Sequence, residues 1–309
     1  MSMELIKKIF LAMPEYNAWS AQLLKIKISK RNGISYLCRE LVFTPENKMK
    51  DFVAEVSSRY IKEEKGDIYS FTGITEYDGS TISNTIYKLQ TDNILIKDDC
   101  SLLIEAIGNP EVEIDPLELR AQAYLLRGIV KIDDEEHSVK LVSMQNPVTT
   151  LKHKFLRANG VFKEIEDKVI SLRTSIDVMI YDDAVYMFTL AGEKLFDLER
   201  SYRATCSQKI EEIGNSNILN DIDSFSLIAG KGHNPRKFIS FNDSHFQKLK
   251  NANRRRKMAE KFKIPLDGDK FDTTQDDAVD KIVKLLCDRA MIDPFDEYPM
   301  EVAGSKKWE

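Results

Sequence analysis

Lysines and arginines are concentrated between residues 231 and 263, where only Asp243 and Glu260 oppose them. Such side chains neutralise phosphates and release counterions, which gives affinity for nucleic acid without choice of sequence. We predict that this segment contacts nucleic acid through Arg236, Lys237, Lys248, Lys250, Arg254, Arg255, Arg256, Lys257 and Lys261. The alternative is a solvated helix face, or one that pairs with the acidic stretch after residue 266, since surface ion pairs contribute little.

Patterns that would indicate catalysis are sparse. The sequence has no Walker loop, no G-x-G-x-x-G and no G-x-S-x-G, and its four histidines lack metal-ligand spacing. Glu166 and Lys168 match half of the carboxylate–lysine motif of metal-dependent nucleases, but no acidic residue lies in a convincing strand upstream. We predict no catalytic residue, no metal and no cofactor, and a binding protein more readily than an enzyme. A metal-dependent nuclease that uses Glu166 and Lys168 stays the alternative.

The composition sets further limits on the class of protein. Hydrophobic residues make up 42% and charged residues 31%, which suits a packed core and excludes a disordered chain. The formal net charge of -5 argues against a simple coating of anionic polymers, although it says nothing of local patches. Four cysteines lie far apart in sequence, so we expect reduced and mostly buried thiols: Cys38, Cys100, Cys206 and Cys287.

Membrane and export signals are also absent from the sequence pattern. No apolar run approaches the ~18–20 residues that a transmembrane helix needs, and the N-terminal apolar run is too short for a signal-peptide core. We therefore expect a soluble cytoplasmic protein that could still dock on a membrane protein.

Hydrophobic periodicity and turn residues predict the elements that position these side chains. Strands are predicted for residues 23–29, 34–43, 68–74, 81–89, 124–132, 137–144, 169–172, 176–181 and 184–190. Helices are predicted for residues 44–66, 98–107 and 193–213, for a segment capped by Ser244, and for residues 274–291. The last residues, 298–304, are predicted to form a short strand that returns to the sheet.

These elements indicate an α+β fold. Its N-terminal half is β-rich, with a mixed or antiparallel sheet; a central β-hairpin and a long helix follow, and the C-terminal part is helical. We place a domain boundary at the Asn146–Pro147 break, which gives an N-terminal α/β domain over 1–146 and a C-terminal domain over 147–309 with the basic helical segment.

The central unit resembles the signature of KwaB-like proteins. Residues 176–183 (IDVMIYDD), 186–188 (YMF) and 193–198 (EKLFDL) show a strand, a short acidic turn, a second strand and a helix that opens with a Phe. The KwaB-like protein is the soluble component of Kiwa, a two-gene bacterial anti-phage defence system whose other component, KwaA, is a small membrane protein. The resemblance implies DNA binding and association with a KwaA-like partner at the inner membrane, and it carries over no enzymatic residue.

Three hypotheses follow. The leading one is a defence subunit that binds DNA without catalysis, impedes replication or transcription by occupancy, and is peripheral at the inner membrane through its partner. The others are the nuclease and an adaptor without DNA affinity, whose basic face meets acidic protein or anionic lipid. We also expect a homo-oligomer, because clustering on a membrane partner gives avidity.

Overall fold

The computed structural model describes residues 2–16, 18–29, 33–45, 47–61, 71–111, 119–144, 148–149, 155–158, 161–164, 169–170 and 172–302. The chain forms two compact units. Unit 1 comprises Met1–Glu76 and Asn84–Asp197, and unit 2 comprises Tyr77–Ser83 and Leu198–Glu309. The domain boundary predicted between residues 146 and 147 lies outside the described residues and stays a prediction.

Unit 1 is built on a large sheet. Its strands are β1 (Ser20–Ser29), β2 (Gly33–Leu41), β3 (Gly73–Glu76), β4 (Thr85–Gln90), β5 (Ala123–Ile132), β6 (Glu135–Ser143), β7 (Val148–Thr149), β8 (Phe155–Ala158), β9 (Val161–Glu164), β10 (Val169–Ile170), β11 (Val178–Tyr181) and β12 (Ala184–Met187). Eight of them form one sheet in the order β2-β1-β5-β6-β11-β12-β4-β3, while β7 pairs with β10 and β8 with β9. Neighbours in the large sheet are antiparallel except β3 and β4, so the predicted mixed sheet is confirmed.

Tight acidic turns close two of the hairpins in this sheet. Asp133 and Asp134 join β5 to β6 with φ of 52° and 70°, and Asp182 joins β11 to β12 with φ of 53°. Two-residue hairpin turns need positive φ because that backbone twist matches the twist of the strands, and Asp tolerates it better than most residues. These acidic turns are therefore also the register-setting points of the sheet.

Helices α1 (Met3–Ala12) and α2 (Asn47–Ile61) supply much of the core of unit 1, and α3 (Lys97–Gly108) packs against β2. Phe10 of α1 stacks on Tyr60 of α2 with ring centroids 4.5 Å apart. The Tyr60 hydroxyl donates to the Ile176 carbonyl at 3.0 Å and accepts from its N–H at 2.6 Å. Both polar groups of a buried backbone residue are thereby satisfied by one side chain.

The helix predicted over 193–213 is interrupted. A 3₁₀ helix covers Leu190–Phe196, and α4 then runs over Leu198–Gly214. Between them Asp197 adopts the left-handed conformation with φ of 43°, which Asp tolerates and which no α-helix can continue through. The prediction of one continuous helix was wrong at its start, and unit 2 resumes immediately after this break.

Unit 2 is mainly helical. After α4 come α5 (Ile222–Ala229), α6 (Asn234–Lys237), α7 (Asp243–Leu249), α8 (Ala252–Phe262) and α9 (Asp276–Leu286), with short strands β13 (Leu266–Asp267), β14 (Lys270–Phe271), β15 (Ala290–Ile292) and β16 (Pro299–Glu301). The buried face of α9 lies in the core, through Val279, Ile282, Val283 and Leu286. The final strand does not return to the large sheet as predicted, because β16 pairs with β15 in a separate hairpin. The α+β class is confirmed.

Candidate nucleic-acid interface

Two consecutive helices of unit 2 carry most of the predicted cations. Asn242 starts α7 by accepting from the His245 N–H at 2.9 Å, so the predicted cap at Ser244 is wrong by two residues. Asn251 starts α8 in the same way, accepting from the Arg254 N–H at 3.1 Å. Asn side chains suit this position because they satisfy backbone donors that the first turn leaves free. The two caps set where α7 and α8 begin.

Six of the nine predicted cations are exposed, and Arg256 among them pairs with a carboxylate. The five that make no ion pair with a described residue form a surface that we call the cationic face: Lys248, Lys250, Arg254, Lys257 and Lys261. Arg254, Lys257 and Lys261 are spaced i, i+3 and i+7 on α8, which places them on one side of that helix. Lys250 also lies with its Nζ 4.8 Å from the centroid of the Phe246 ring.

Arg255 is the one predicted cation that is buried. Its side chain is only 5% exposed. Its Nη1 donates to the Leu249 carbonyl at 2.7 Å, and its Nε donates to the Asp269 carbonyl. Burial lowers the pKa of Arg255 from its ordinary value. This guanidinium therefore ties the end of α7 to the β13–β14 turn, and it is not available to a phosphate.

Arg256 and Lys237 are engaged by carboxylates. Arg256 pairs with Asp269, and Lys237 Nζ lies 3.0 Å from Asp280 Oδ1 and 3.8 Å from Glu301 Oε1. The acidic stretch that follows the basic segment thus neutralises part of it, as the alternative interpretation expected. Of the nine predicted cations, Lys237 and Arg256 are therefore paired with carboxylates, whereas the five residues of the cationic face are not.

Asp280 pairs with two lysines, Lys237 and Lys284. Burial acts to raise the pKa of Asp280, but hydrogen bonds from Lys284 and Lys237 outweigh burial and hold the pKa below its ordinary value.

Arg236, the remaining predicted residue, is half-buried, with its guanidinium carbon 5.6 Å from the centroid of the Tyr202 ring. Its aliphatic stem also lies against Gly79, where any larger side chain would collide with the Arg236 backbone.

A cavity of about 490 Å³ opens beside the cationic face. Sequence reasoning missed it, because its lining comes from α7, α8, α9 and β15. Three of the exposed cations lie on its wall, together with His245 and Asp288. His245 Nδ1 lies 2.7 Å from Asp288 Oδ1, and Asn242 Nδ2 donates to Asp288 Oδ2 at 2.7 Å. Residues 245 and 288 are too far apart in sequence for spacing to have indicated their pairing.

The remaining sequence predictions have mixed outcomes. Glu166 and Lys168, the pair of the nuclease alternative, lie outside the described residues. The four cysteines are free and buried, as expected. Burial raises the pKa of the Cys38 thiol to about 12 and that of Cys206 to about 11, so neither is a ready nucleophile at neutral pH.

No group of three or more His, Cys, Asp or Glu side chains in the described ranges is placed to hold a metal ion. Among the helices that the structure describes, none is both long and apolar enough to cross a bilayer.

The fold and the surface define an α+β protein with a large mixed sheet in its N-terminal half and a helical C-terminal part that presents a cationic face. Comparison with protein families identifies the class further. The profile of the Kiwa protein KwaB-like family matches residues 122–293, which span β5 to β15 and all nine predicted cations. The chain belongs to the KwaB-like family, and membership implies a role in Kiwa anti-phage defence. No curated protein and no solved structure matches the chain.

Proposed function

We propose that this chain is the DNA-binding subunit of a Kiwa-type defence system, acting by occupancy of DNA rather than by cleavage. The observation that carries the proposal is the cationic face. Four of its exposed lysines and arginines lie on α7 and α8, and Lys250 directly follows α7. None of the five makes an ion pair with any residue that the structure describes. Side chains free of intramolecular partners can exchange water and counterions for phosphate oxygens at little structural cost.

The geometry of α8 suits a nucleic-acid backbone. Arg254 and Lys261 are seven residues apart on the same side of the helix, a separation of about 10 Å along the axis at about 1.5 Å per residue. That length corresponds to roughly three base pairs at about 3.4 Å each along one strand. The cations can therefore meet successive phosphates without any distortion of the helix.

The salt dependence of binding follows from the number of cations. If the five residues neutralise about five phosphates, the slope of log K against log salt is about -4.5. Affinity should then fall by about 500-fold between 50 and 200 mM salt. A contact through bases alone would show a much smaller dependence.

Two further parts of the proposal concern assembly. The family resemblance supports docking on a KwaA-like membrane protein at the inner membrane, and clustering there would favour a homo-oligomer through avidity. Copurification with that partner from detergent-solubilised membranes, before and after removal of DNA, tests the docking. Light scattering of the isolated chain tests the oligomer.

The DNA proposal is tested with a labelled blunt duplex across a salt series, with and without magnesium. The test variant changes Arg254, Lys257 and Lys261 together to Glu. The matched control changes Lys50, Lys97 and Lys194 to Glu, three exposed lysines of unit 1 that give the same net charge. We expect steep salt dependence and intact DNA for the wild type, binding by the control, and loss of binding in the test variant.

Each other outcome contradicts one part of the proposal. Equal losses in both variants would mean that net charge, and not the cationic face, governs affinity. DNA that is cut only with magnesium would favour the nuclease. Wild-type protein that fails to bind at 50 mM salt would favour the adaptor.

A further inference from the structure

The cavity beside the cationic face combines two kinds of surface. Lys248, Arg254 and Lys257 lie on one part of its wall, and Asp288 faces it from the segment before β15. Three cations against one carboxylate leave a formal net charge of +2 from the lysine, arginine and aspartate side chains. A carboxylate ligand carries a single charge, whereas a phosphomonoester carries about -1.5 to -2 at neutral pH. The charge of the cavity therefore matches a phosphate.

Phosphate alone would not fill the cavity. Its remaining lining is apolar and includes Met258 and Phe262 of α8, Leu285 of α9 and Ala290 of β15. A volume of about 490 Å³ lies within the range of about 300–1,000 Å³ that is typical of small-molecule sites with a few placed polar groups. The ligand must therefore carry a sizeable group with an apolar surface as well as a phosphate.

The paired His245 and Asp288 favour a ring system with polar edges over an acyl chain. Both side chains line the cavity. Asp288 is already bonded to His245 and Asn242, but a hydrocarbon ligand would cover the second ring nitrogen of His245 without offering it a hydrogen bond, which is costly for a polar group. A sugar and base present donors and acceptors at their edges, and the base offers a flat face to an aromatic side chain such as Phe262. Nucleoside phosphates meet all three requirements.

We infer that this cavity binds a nucleoside phosphate, either as a free mononucleotide or as an unpaired nucleotide at the end of a DNA strand. The phosphate lies against Lys248, Arg254 and Lys257, and the base lies on the apolar floor. The inference shares three side chains with the proposed DNA surface and deepens that proposal where the ligand is a strand end. It does not require duplex binding where the ligand is a free nucleotide.

Calorimetric titration with 5′-dAMP, deoxyadenosine, inorganic phosphate and hexyl phosphate tests the chemistry, and an acidic peptide serves as a competitor. The test variant is Ala290→Phe, which fills the floor without a change of charge. Its control is Ala204→Phe, which adds the same side chain at an exposed position of α4. Thermal unfolding of both variants checks that they fold. A blunt duplex and the same duplex with a three-nucleotide overhang distinguish the strand end from the free nucleotide.

We expect 5′-dAMP to bind about tenfold or more tightly than deoxyadenosine or inorganic phosphate, because each lacks one half of the interactions. Ala290→Phe should lose 5′-dAMP while it keeps the affinity of the wild type for blunt duplex, and Ala204→Phe should retain both. A preference for the overhang that Ala290→Phe abolishes would identify a strand end, and 5′-dAMP binding without that preference would identify a free nucleotide.

Other outcomes would contradict either this inference or the DNA proposal, and they can be told apart. Wild-type protein that binds blunt duplex but neither 5′-dAMP nor the overhang preferentially would overturn this inference and leave the DNA proposal intact. Binding of 5′-dAMP without duplex affinity would do the reverse. Hexyl phosphate or the acidic peptide binding as well as 5′-dAMP, or undiminished 5′-dAMP affinity in Ala290→Phe, would also overturn it.

Discussion

Replacement of Arg255 by Met should destabilise unit 2 without a specific effect on DNA affinity. The guanidinium is 5% exposed and donates to the carbonyls of Leu249 and Asp269. A hydrogen bond from a charged donor contributes about 1.5–3 kcal/mol. Release of the charge from a buried site offsets part of this loss, since its desolvation lowers the pKa of Arg255 in the folded state. We expect the free energy of unfolding to fall by about 2–4 kcal/mol.

Arg254→Met is the matched control, because it removes the same charge one residue earlier from an exposed position. Its free energy of unfolding should stay within about 0.5 kcal/mol of the wild type. Urea denaturation measures both values. Binding to duplex DNA, at a temperature where both variants are folded, should show a salt slope reduced by about 0.9 for Arg254→Met only. Equal stabilities, or equal losses of DNA affinity, would refute the assignment of Arg255 as a structural residue.

Three further predictions concern stability. Tyr60→Phe leaves the N–H and carbonyl of Ile176 without their shared partner, so we expect a loss of about 1–3 kcal/mol in urea denaturation. Gly128→Ala would place a Cβ 2.5 Å from the Trp19 ring, and this overpacking should cost about 1–3 kcal/mol in the same assay. The pKa of Asp280 is lower in the folded chain than its ordinary value, so its contribution is present above about pH 4 and is lost as the pH falls further. The free energies of unfolding of the wild type and of Asp280→Asn, measured in urea at pH 6 and pH 3, should therefore differ less at pH 3.

Much of unit 1 could be predicted from local sequence signals. Alternating apolar residues and acidic turns gave the hairpins β5–β6 and β11–β12, because period and turn chemistry are local properties. The break at Asp197 was not predictable in that way. The apolar spacing continues on both sides of it, and only the backbone geometry shows that the helical path is interrupted.

The positive charge of residues 231–263 was predictable from the sequence, but which of its cations are exposed was not. A run of cations indicates a positive segment, yet a helix exposes only one side of its residues. Arg254 and Arg255 are neighbours of the same type, and the acceptors that bury the second come from residues 249 and 269. The burial of Arg255 thus depends on a contact across the β13–β14 turn. No spacing rule within α8 contains that information.

A protein with a formal charge of -5 can still present a local field that attracts DNA. At physiological ionic strength the Debye length is about 8 Å, so exposed carboxylates farther than this from the cationic face scarcely cancel it. Of the acids on or next to α7 and α8 in sequence, Asp243 is paired with Lys209 at 2.9 Å and Asp269 with Arg256, while Glu260 of α8 is exposed. The intramolecular pairs therefore do more than stabilise unit 2. They neutralise acids that flank α7 and α8, and a duplex that approaches any other acidic part of the surface is repelled. The pair that engages Arg256 thus also neutralises Asp269, an acid that would otherwise oppose the positive charge of α8.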